Sequence, residues 1–301
     1  MNIPPDRPVT AIIVGAGHRA AGVYATYALA HPDKLRIVGV ADPLEVRRKQ
    51  TAAQYGLKRE QCYHDAAELA SKGKIADAII NGTMDAEHVP TTLPLLACGY
   101  DVLLEKPFAV TEEEVFQLAR AVRQTRRKVM ICHVLRYAPF YVEVQKKIAS
   151  GELGQIVNIQ ATEHVSYHHM ATAFVRGKWG NQEACGSPII LSKCCHDMDL
   201  LTWLKSGVTP TRVASFGSRM FFRPENAPKG AGTRCLVDCP IEADCLYSAK
   251  RHFVDMELWK FYAWSDLEHI ENPTLRDKLA ELKRPDNPMG RCVWKCDNTV
   301  C

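Results

Sequence analysis

The first 133 residues alternate short apolar runs with amphipathic stretches. Thr10–Val14 is an apolar run rich in β-branched residues, and two glycines follow it. Ile37–Ala41 is a second such run, closed by Asp42-Pro43. Asp77–Ile80, Val102–Leu104 and Val129–Cys132 are three more. Runs of this length, bounded by turn residues, read as strands buried on both faces. Between them, Arg19–Ala30, Val46–Tyr55 and Thr91–Ala97 carry helical spacing, with Gly56 and Gly99 placed to close the last two. Thr111 and Glu114 form a capping box whose helix runs to about Gln124. Strands that recur with helical crossovers predict a parallel, doubly wound sheet covered by helices on both sides.

From Val134 the texture changes. Pro139–Ser150 and Cys195–Leu204 read as helices, and Ile156–Thr162 and Arg212–Phe216 as strands. Around them lie irregular stretches rich in Gly, His and Trp, then a Pro/Gly/Cys-rich segment, Phe222–Tyr247. Residues 1–133 therefore read as a Rossmann-type domain. Residues 134–301 read as an α+β domain with a Cys-rich insertion at about 222–290.

Composition narrows the function classes. Lys and Arg number 38 against 34 Asp and Glu, a formal charge of +4 spread along the 301 residues, so no nucleic-acid footprint stands out. No run approaches the roughly 18 apolar residues of a membrane helix. Met1–Pro8 lacks the basic and apolar regions of a secretion signal. The 12 cysteines are thus expected as reduced thiols of a cytoplasmic protein.

Gly15-Ala-Gly17-His18-Arg19-Ala20 fits G-x-G-x-x-A at a strand-to-helix junction. The first Gly permits the tight turn, the second lets the backbone approach a pyrophosphate, and the small third residue lets helix and strand pack closely. Asp42, at the end of the second strand, stands where a carboxylate accepts the ribose hydroxyls. It favours NAD, because it repels the 2′-phosphate of NADP. Arg47 and Arg48, one turn on, keep NADP as the alternative. Glu105-Lys106-Pro107 follows another strand and places a lysine at the ligand-binding edge of the sheet.

Gly15-x-Gly17, Thr83-Met-Asp-Ala-Glu-His88, Glu105-Lys106-Pro107 and Arg136-Tyr-Ala-Pro139, in this order and spacing, resemble the glucose–fructose oxidoreductase / inositol 2-dehydrogenase / MocA family of NAD(P)-dependent oxidoreductases. The resemblance implies a Rossmann domain and a second domain built on a mostly antiparallel sheet. It implies hydride transfer at a hydroxyl or carbonyl of a sugar, inositol or related polyol. Lys106 would contact substrate and nicotinamide ribose, Thr83 and His88 would lie along the cofactor, and Glu105 would orient Lys106. The family's Asp-x-Gly-x-His-x-x-Asp pattern falls on Ser192-Lys-Cys-Cys-His196-Asp-Met-Asp199, with Ser192 and Cys194 in place of Asp and Gly. This variant resembles a distinct subgroup, in which Lys193 or Asp197 takes over from the missing carboxylate. His196 suits a general acid/base and Lys106 an electrostatic partner, with Asp199 beside them. Tyr167, His168, Arg176 and Trp179, with Glu163, His164, His169 and Asn181 near them, are candidates for the substrate pocket.

Family members generally run further than this chain. Cys292–Val300 alternates like the start of another strand, so the sheet is expected to be incomplete here, leaving an open edge for association of copies. Cys235, Cys239 and Cys245, with Cys292 and Cys296, are spaced so that four thiolates (Cys235, Cys239, Cys245, Cys296) could hold zinc. Two other functions fit the same fold: a non-catalytic NAD-binding sensor, and redox-assisted glycoside cleavage with NAD recycled.

Overall fold

The computed structural model describes residues 7–296. The chain divides into two compact units, one ending at His133 and the other beginning at Val134. In the first, six parallel strands form one sheet: β1 (Val9–Val14), β2 (Leu35–Ala41), β3 (Cys62–Tyr63), β4 (Ala78–Asn81), β5 (Asp101–Leu104) and β6 (Val129–Ile131). Their order is β3-β2-β1-β4-β5-β6. This is the doubly wound Rossmann order, with the reversal at β1, and the crevice at that reversal is where ligands bind in such sheets.

Alternation along β1 explains the two-sided core. Ile12 and Val14 point to one face, where Ile79, Val102, Leu104, Leu69, Leu95 and Leu96 pack. Ala11 and Ile13 point to the other, against Val40, Ile37, Ile80 and the small residues Ala20, Ala25 and Ala28. Each fully buried aliphatic side chain contributes about 1.5–3 kcal/mol relative to exposure. The crossovers are α1 (Tyr27–Ala30), α2 (Glu45–Tyr55), α3 (Ala66–Ser71), α4 (His88–Ala97) and α5 (Glu112–Thr125). Gly56 closes α2 with φ of 66°, and the Thr111–Glu114 capping box opens α5. The single helix expected over 19–30 is two pieces. Ala20–Tyr24 is a wide turn in which Ala25 N donates to Ala20 O at 2.9 Å, and α1 follows. The pattern did not reveal β3 and α3, which are too short to show a period.

The second unit departs from expectation. Helices α6 (Pro139–Ala149) and α7 (Cys195–Leu204) form as predicted, and α8 (Leu275–Lys283) is added behind a Thr274–Asp277 capping box. The expected antiparallel sheet is not seen among the described residues. Ile156–Thr162 and Arg212–Phe216 form no strand, and Val157, Val213 and Phe216 are about nine-tenths exposed (90%, 89% and 97%). An alternating stretch becomes a strand only when neighbours satisfy its backbone groups, and no described strand pairs with these. The only β feature among the unit's described residues is an isolated antiparallel bridge between Arg234 and Arg291. Cys292–Cys296 runs through a turn rather than a strand; the rest of the run expected to Val300, and Cys301, lie outside the described residues. The unit is held by two apolar clusters, one around Val175, Tyr247, Val293 and Trp294, the other around Ala249, Phe253, Leu282 and Met289. No helix of the described residues is long and apolar enough to cross a membrane.

Candidate functional site

The glycine loop is built as its residue types require. Gly15 has φ of +77°, and a Cβ there would lie 2.7 Å from Thr83 N and 2.8 Å from Thr83 Cα. Only glycine fits that left-handed turn against the end of β4. Around Gly17 the nearest group to an added Cβ is Arg47 Nη1 at 3.9 Å, so its backbone is open to a close approach. Ala20 is fully buried and meets Gly82, where a Cβ would come within 2.7 Å of the Ala20 Cβ. A larger residue at 20 or 82 would force helix and strand apart. His18 folds back over Gly22, and burial, followed by the neighbouring Arg19 charge, lowers its imidazole pKa.

Asp42 is buried at the end of β2. Its Oδ2 accepts from Ala16 N at 2.7 Å and its Oδ1 from Leu44 N at 2.8 Å. The carboxylate fixes the glycine loop and the entry to α2, and each oxygen keeps a lone pair for a further donor. Arg48 donates to the carbonyls of Asp42 and Pro43 at 2.5 and 3.0 Å, which turns it along the backbone. The open glycine cradle, the carboxylate beyond it and the sheet reversal fit a dinucleotide.

Glu105 is the charged centre of this unit. It is 4% exposed. Its Oε1 accepts from Arg19 Nε and from the Tyr24 hydroxyl, both at 2.6 Å, and its Oε2 accepts from Lys106 N at 2.6 Å. Burial pushes its carboxyl up, but the Tyr24, Arg19 and Lys106 donors together leave it below its ordinary value. Tyr24 is pushed far up, by burial first and Glu105 second, and the Cys132 thiol is pushed up to about 12 by the same two causes. All three arrangements favour an ionised Glu105 among neutral neighbours and one guanidinium. Arg19, expected beside the cofactor, thus reaches across to the Lys106 loop.

His88, expected along the cofactor, is 1% exposed. Its ring spans two carbonyls, with Nδ1 2.6 Å from Pro107 O and Nε2 3.1 Å from Thr83 O. It ties the Thr83 loop to the Glu105-Lys106-Pro107 segment. Asn81, which the motif reading missed, positions Thr83: its Oδ1 accepts from Thr83 Oγ1 at 2.9 Å, and its Nδ2 donates to Thr91 and Thr92, each at 2.9 Å. An Asn closing a buried apolar strand was the available signal, because a buried amide must find partners. Tyr24 had none.

In the second unit, His196 lies in the first turn of α7. Asp199, one turn on, is held by Arg136 through two bonds of 2.7 Å, and Arg136 also lies over the Trp203 ring. Ser192 is buried and donates from Oγ to Pro188 O at 3.0 Å, inside its own turn. Lys193 pairs with Glu163, Nζ to Oε1 2.6 Å. Burial, then repulsion from Glu163, raises the carboxyl of Asp197, and burial, then Asp197, raises the Cys194 thiol.

The remaining pocket candidates separate. Tyr167 is partly exposed and packs edge-on against Tyr247 and His168. His168 lies 3.4 Å from Ser166 Oγ. Trp179 packs among Phe174, Tyr262 and the Lys178 ammonium. Arg176 is 1% exposed and works as an internal staple: Nε donates to Arg291 O and Nη2 to Tyr247 O, both at 2.6 Å. Its burial takes it off the surface where a polyol would bind.

The zinc expectation is corrected. Among the described residues, no three His, Cys, Asp or Glu side chains are placed to hold a metal ion. Cys235, Cys239 and Cys245 line one cavity with Cys292, while Cys296 donates to Cys292 O at 3.2 Å instead. Burial raises the Cys245, Cys292 and Cys296 thiols, which favours the neutral form over the thiolate that zinc needs. Arg176 Nη2 also lies 3.4 Å from Cys235 Sγ. No disulfide joins any of the described cysteines.

The first unit is therefore a dinucleotide-type Rossmann unit with a lysine loop locked to its glycine loop. Residues 9–133 match the oxidoreductase family with NAD-binding Rossmann fold of the GFO/IDH/MocA group, and residues 141–238 match the GFO/IDH/MocA C-terminal domain. The chain belongs to this family. The rhizopine catabolism protein MocA of Rhizobium meliloti is 27% identical over 241 residues, 80% of this chain and 71% of that protein. The scyllo-inositol 2-dehydrogenase (NAD(+)) of Bacillus subtilis is 28% identical over 120 residues, 40% of this chain and 34% of that protein. The fold is shared with the WlbA dehydrogenase of Bordetella pertussis, solved with NADH and UDP-GlcNAcA. That likeness has a TM-score of 0.55 and 22% identity, and covers 66% of this chain and 56% of WlbA. The chain thus spans about half the length of such solved relatives.

Proposed function

We propose that the protein is an NAD-dependent oxidoreductase that moves a hydride between the nicotinamide and a CH–OH carbon of a sugar, inositol or related polyol. The observation that carries this reading is the lock on Glu105, whose three donors fix the backbone at Lys106 and fasten it to Arg19 of the glycine loop. A unit that only bound nucleotide has no need to hold a lysine loop so firmly to it. The name of one relative, scyllo-inositol 2-dehydrogenase (NAD(+)), agrees with the substrate class.

Gly15, Gly17 and the Ala16 backbone would receive the pyrophosphate, Asp42 the adenine ribose and the Thr83 loop the nicotinamide end. Bound there, the cofactor supplies the hydride acceptor or donor. Lys106 stabilises negative charge growing on the substrate oxygen. His196 takes the hydroxyl proton in oxidation and returns it in reduction. Asp199, neutralised by Arg136, holds α7 in place rather than touching substrate. Asp42 directs the choice toward NAD, since a 2′-phosphate would face its carboxylate. Tyr167 and His168, on a partly exposed turn, remain the aromatic and polar groups offered to a polyol.

The test is a panel of sugars, inositols and glycosides assayed for NADH formation, with His196→Ala and Lys106→Met as controls. Turnover by the wild type that falls at least about a hundredfold in both variants is expected. A second reading, a non-catalytic NAD-binding sensor, draws on Ser192, whose hydroxyl is turned into its own helical turn at the position where the resemblance implies a carboxylate. Tight NADH binding with no turnover on any member of the panel would favour the sensor.

A further inference from the structure

We propose that Glu163, on a distant segment, acts as a positioning residue by holding the Lys193 side chain at the entrance to the His196 helix. This rests on the reading of α7 as the carrier of the proton-transfer residue.

Position 192 carries a hydroxyl rather than a carboxylate, and the Ser192 Oγ donates to Pro188 O at 3.0 Å. Asp199 is neutralised by the two-bonded Arg136 pair at 2.7 Å. That leaves the charges next to His196 to Lys193 and Asp197 on one segment and Glu163 on another. Lys193 Nζ meets Glu163 Oε1 at 2.6 Å, with side chains only 22% and 34% exposed. A pair screened to that degree is weaker than a buried one and more persistent than an open surface pair. Asp197 and Cys194 feel the same two groups: Glu163 repels their ionised forms and Lys193 attracts them. Were Glu163 absent, Asp197, whose ionised form Lys193 already attracts, would be left to compete for the ammonium from the first turn of α7. Glu163 therefore keeps Lys193 and Asp197 apart. The cluster carries Glu163, Asp197 and one Lys193 as its charged groups, so it stands at −1 when all are ionised.

The experiment reads Lys193 directly in the full-length protein. Competitive acetylation with acetic anhydride across alkaline pH, quantified at Lys193 by mass spectrometry, is compared for wild type, Glu163→Gln and Glu163→Asp. With the ion pair removed, the Lys193 amine is no longer held against a carboxylate and should be acetylated about three- to tenfold faster at fixed pH in Glu163→Gln. Glu163→Asp should restore the wild-type profile. Superimposable profiles for wild type and Glu163→Gln would overturn the assignment. On a substrate found in the panel above, Glu163→Gln should lower kcat about tenfold with KM within about twofold, and Glu163→Asp should recover most of kcat. Unchanged kcat overturns the proposal even when labelling shifts. If no substrate is turned over by the wild type, the catalytic reading of α7 fails, and the role proposed for Glu163 fails with it. The labelling profile then still shows separately whether the pair exists. Thermal midpoints of the variants within a few degrees of wild type confirm that each is folded.

Discussion

Replacing Glu105 by Gln keeps the side-chain shape and removes one charge. The wild-type carboxylate receives donors on both oxygens: Arg19 and Tyr24 on one, Lys106 N on the other. An amide has only one acceptor oxygen, so in either orientation its NH2 faces at least one donor. A buried donor left without an acceptor costs about 1–3 kcal/mol, and the lost charge-assisted bond to Arg19 adds to that. The Arg19 side chain is 44% exposed, so its share is discounted for solvent screening. The sum is about 2–4 kcal/mol at neutral pH, or roughly 8–16 °C in thermal midpoint for a unit of this size, at about 4 °C per kcal/mol. The sign with pH follows from the depressed carboxyl. Its stabilisation is present above the unfolded value of about 4.3 and is lost as pH falls through the lower folded value. Thermal unfolding of wild type and Glu105→Gln by circular dichroism at pH 7, 5 and 3 should therefore show a large gap at pH 7 that narrows at pH 3. A gap below about 0.5 kcal/mol at pH 7, or one equally wide at pH 3, would refute the three-donor lock.

Gly15→Ala should cost about 1–2 kcal/mol for the left-handed backbone alone, more with the contact at Thr83, and should weaken NADH binding at least about tenfold by fluorescence titration. Wild-type affinity would show that the turn is not needed. Arg176→Met should destabilise by about 2–4 kcal/mol, because the carbonyls of Arg291 and Tyr247 lose their donors. It should leave KM of the remaining folded protein within about twofold; a selective rise in KM would return Arg176 to the substrate pocket. His252 is pulled down to about 4, by burial first and the Arg176 charge second. The unfolded chain takes up a proton near pH 6.5 while the folded one does not, so stability should fall by on the order of 1–3 kcal/mol between pH 6.5 and 4 and level off below. His252→Phe should remove that slope; an identical slope would assign it to another group.

How far the sequence spoke depended on where each residue finds its partners. In the first unit, strands and crossovers are neighbours in sequence and space, so apolar period, turn glycines and the Thr111 cap were enough to place five of the six strands. Ile156–Thr162 and Arg212–Phe216 carry an equally clear alternation, yet a strand is a property of a pair, and no described strand pairs with them. The same distinction runs through the site. Gly15, Gly17, Ala20 and Asp42 were legible because their roles are local backbone geometry. Arg176 looked like a substrate ligand because Gly, Trp and His surround it in sequence; its burial depends on Tyr247 and Arg291, far along the chain. The cysteines misled for a related reason: spacing gives opportunity, while thiol burial and convergence decide whether a metal can be held.

The motifs of the first unit were read as separate signatures, but the bonds between them make one body of them. Gly15 lies against Thr83, whose carbonyl faces the ring of His88. His88 in turn reaches Pro107, next to Lys106. Arg19, inside the glycine loop, returns to Glu105 on the other side of the same lysine. Lys106 is thus fixed through two independent routes to the loop that would carry the pyrophosphate. A reacting lysine gains from such a frame, because tenths of an ångström in its placement change the charge it presents to a developing oxyanion. The residues spent on the frame are those a motif reading assigns to the ligand, His88 and Arg19. A polar residue beside the glycine loop can therefore act through the geometry of Lys106 without touching a cofactor, and substitutions at His88 or Arg19 should alter turnover more than nucleotide affinity.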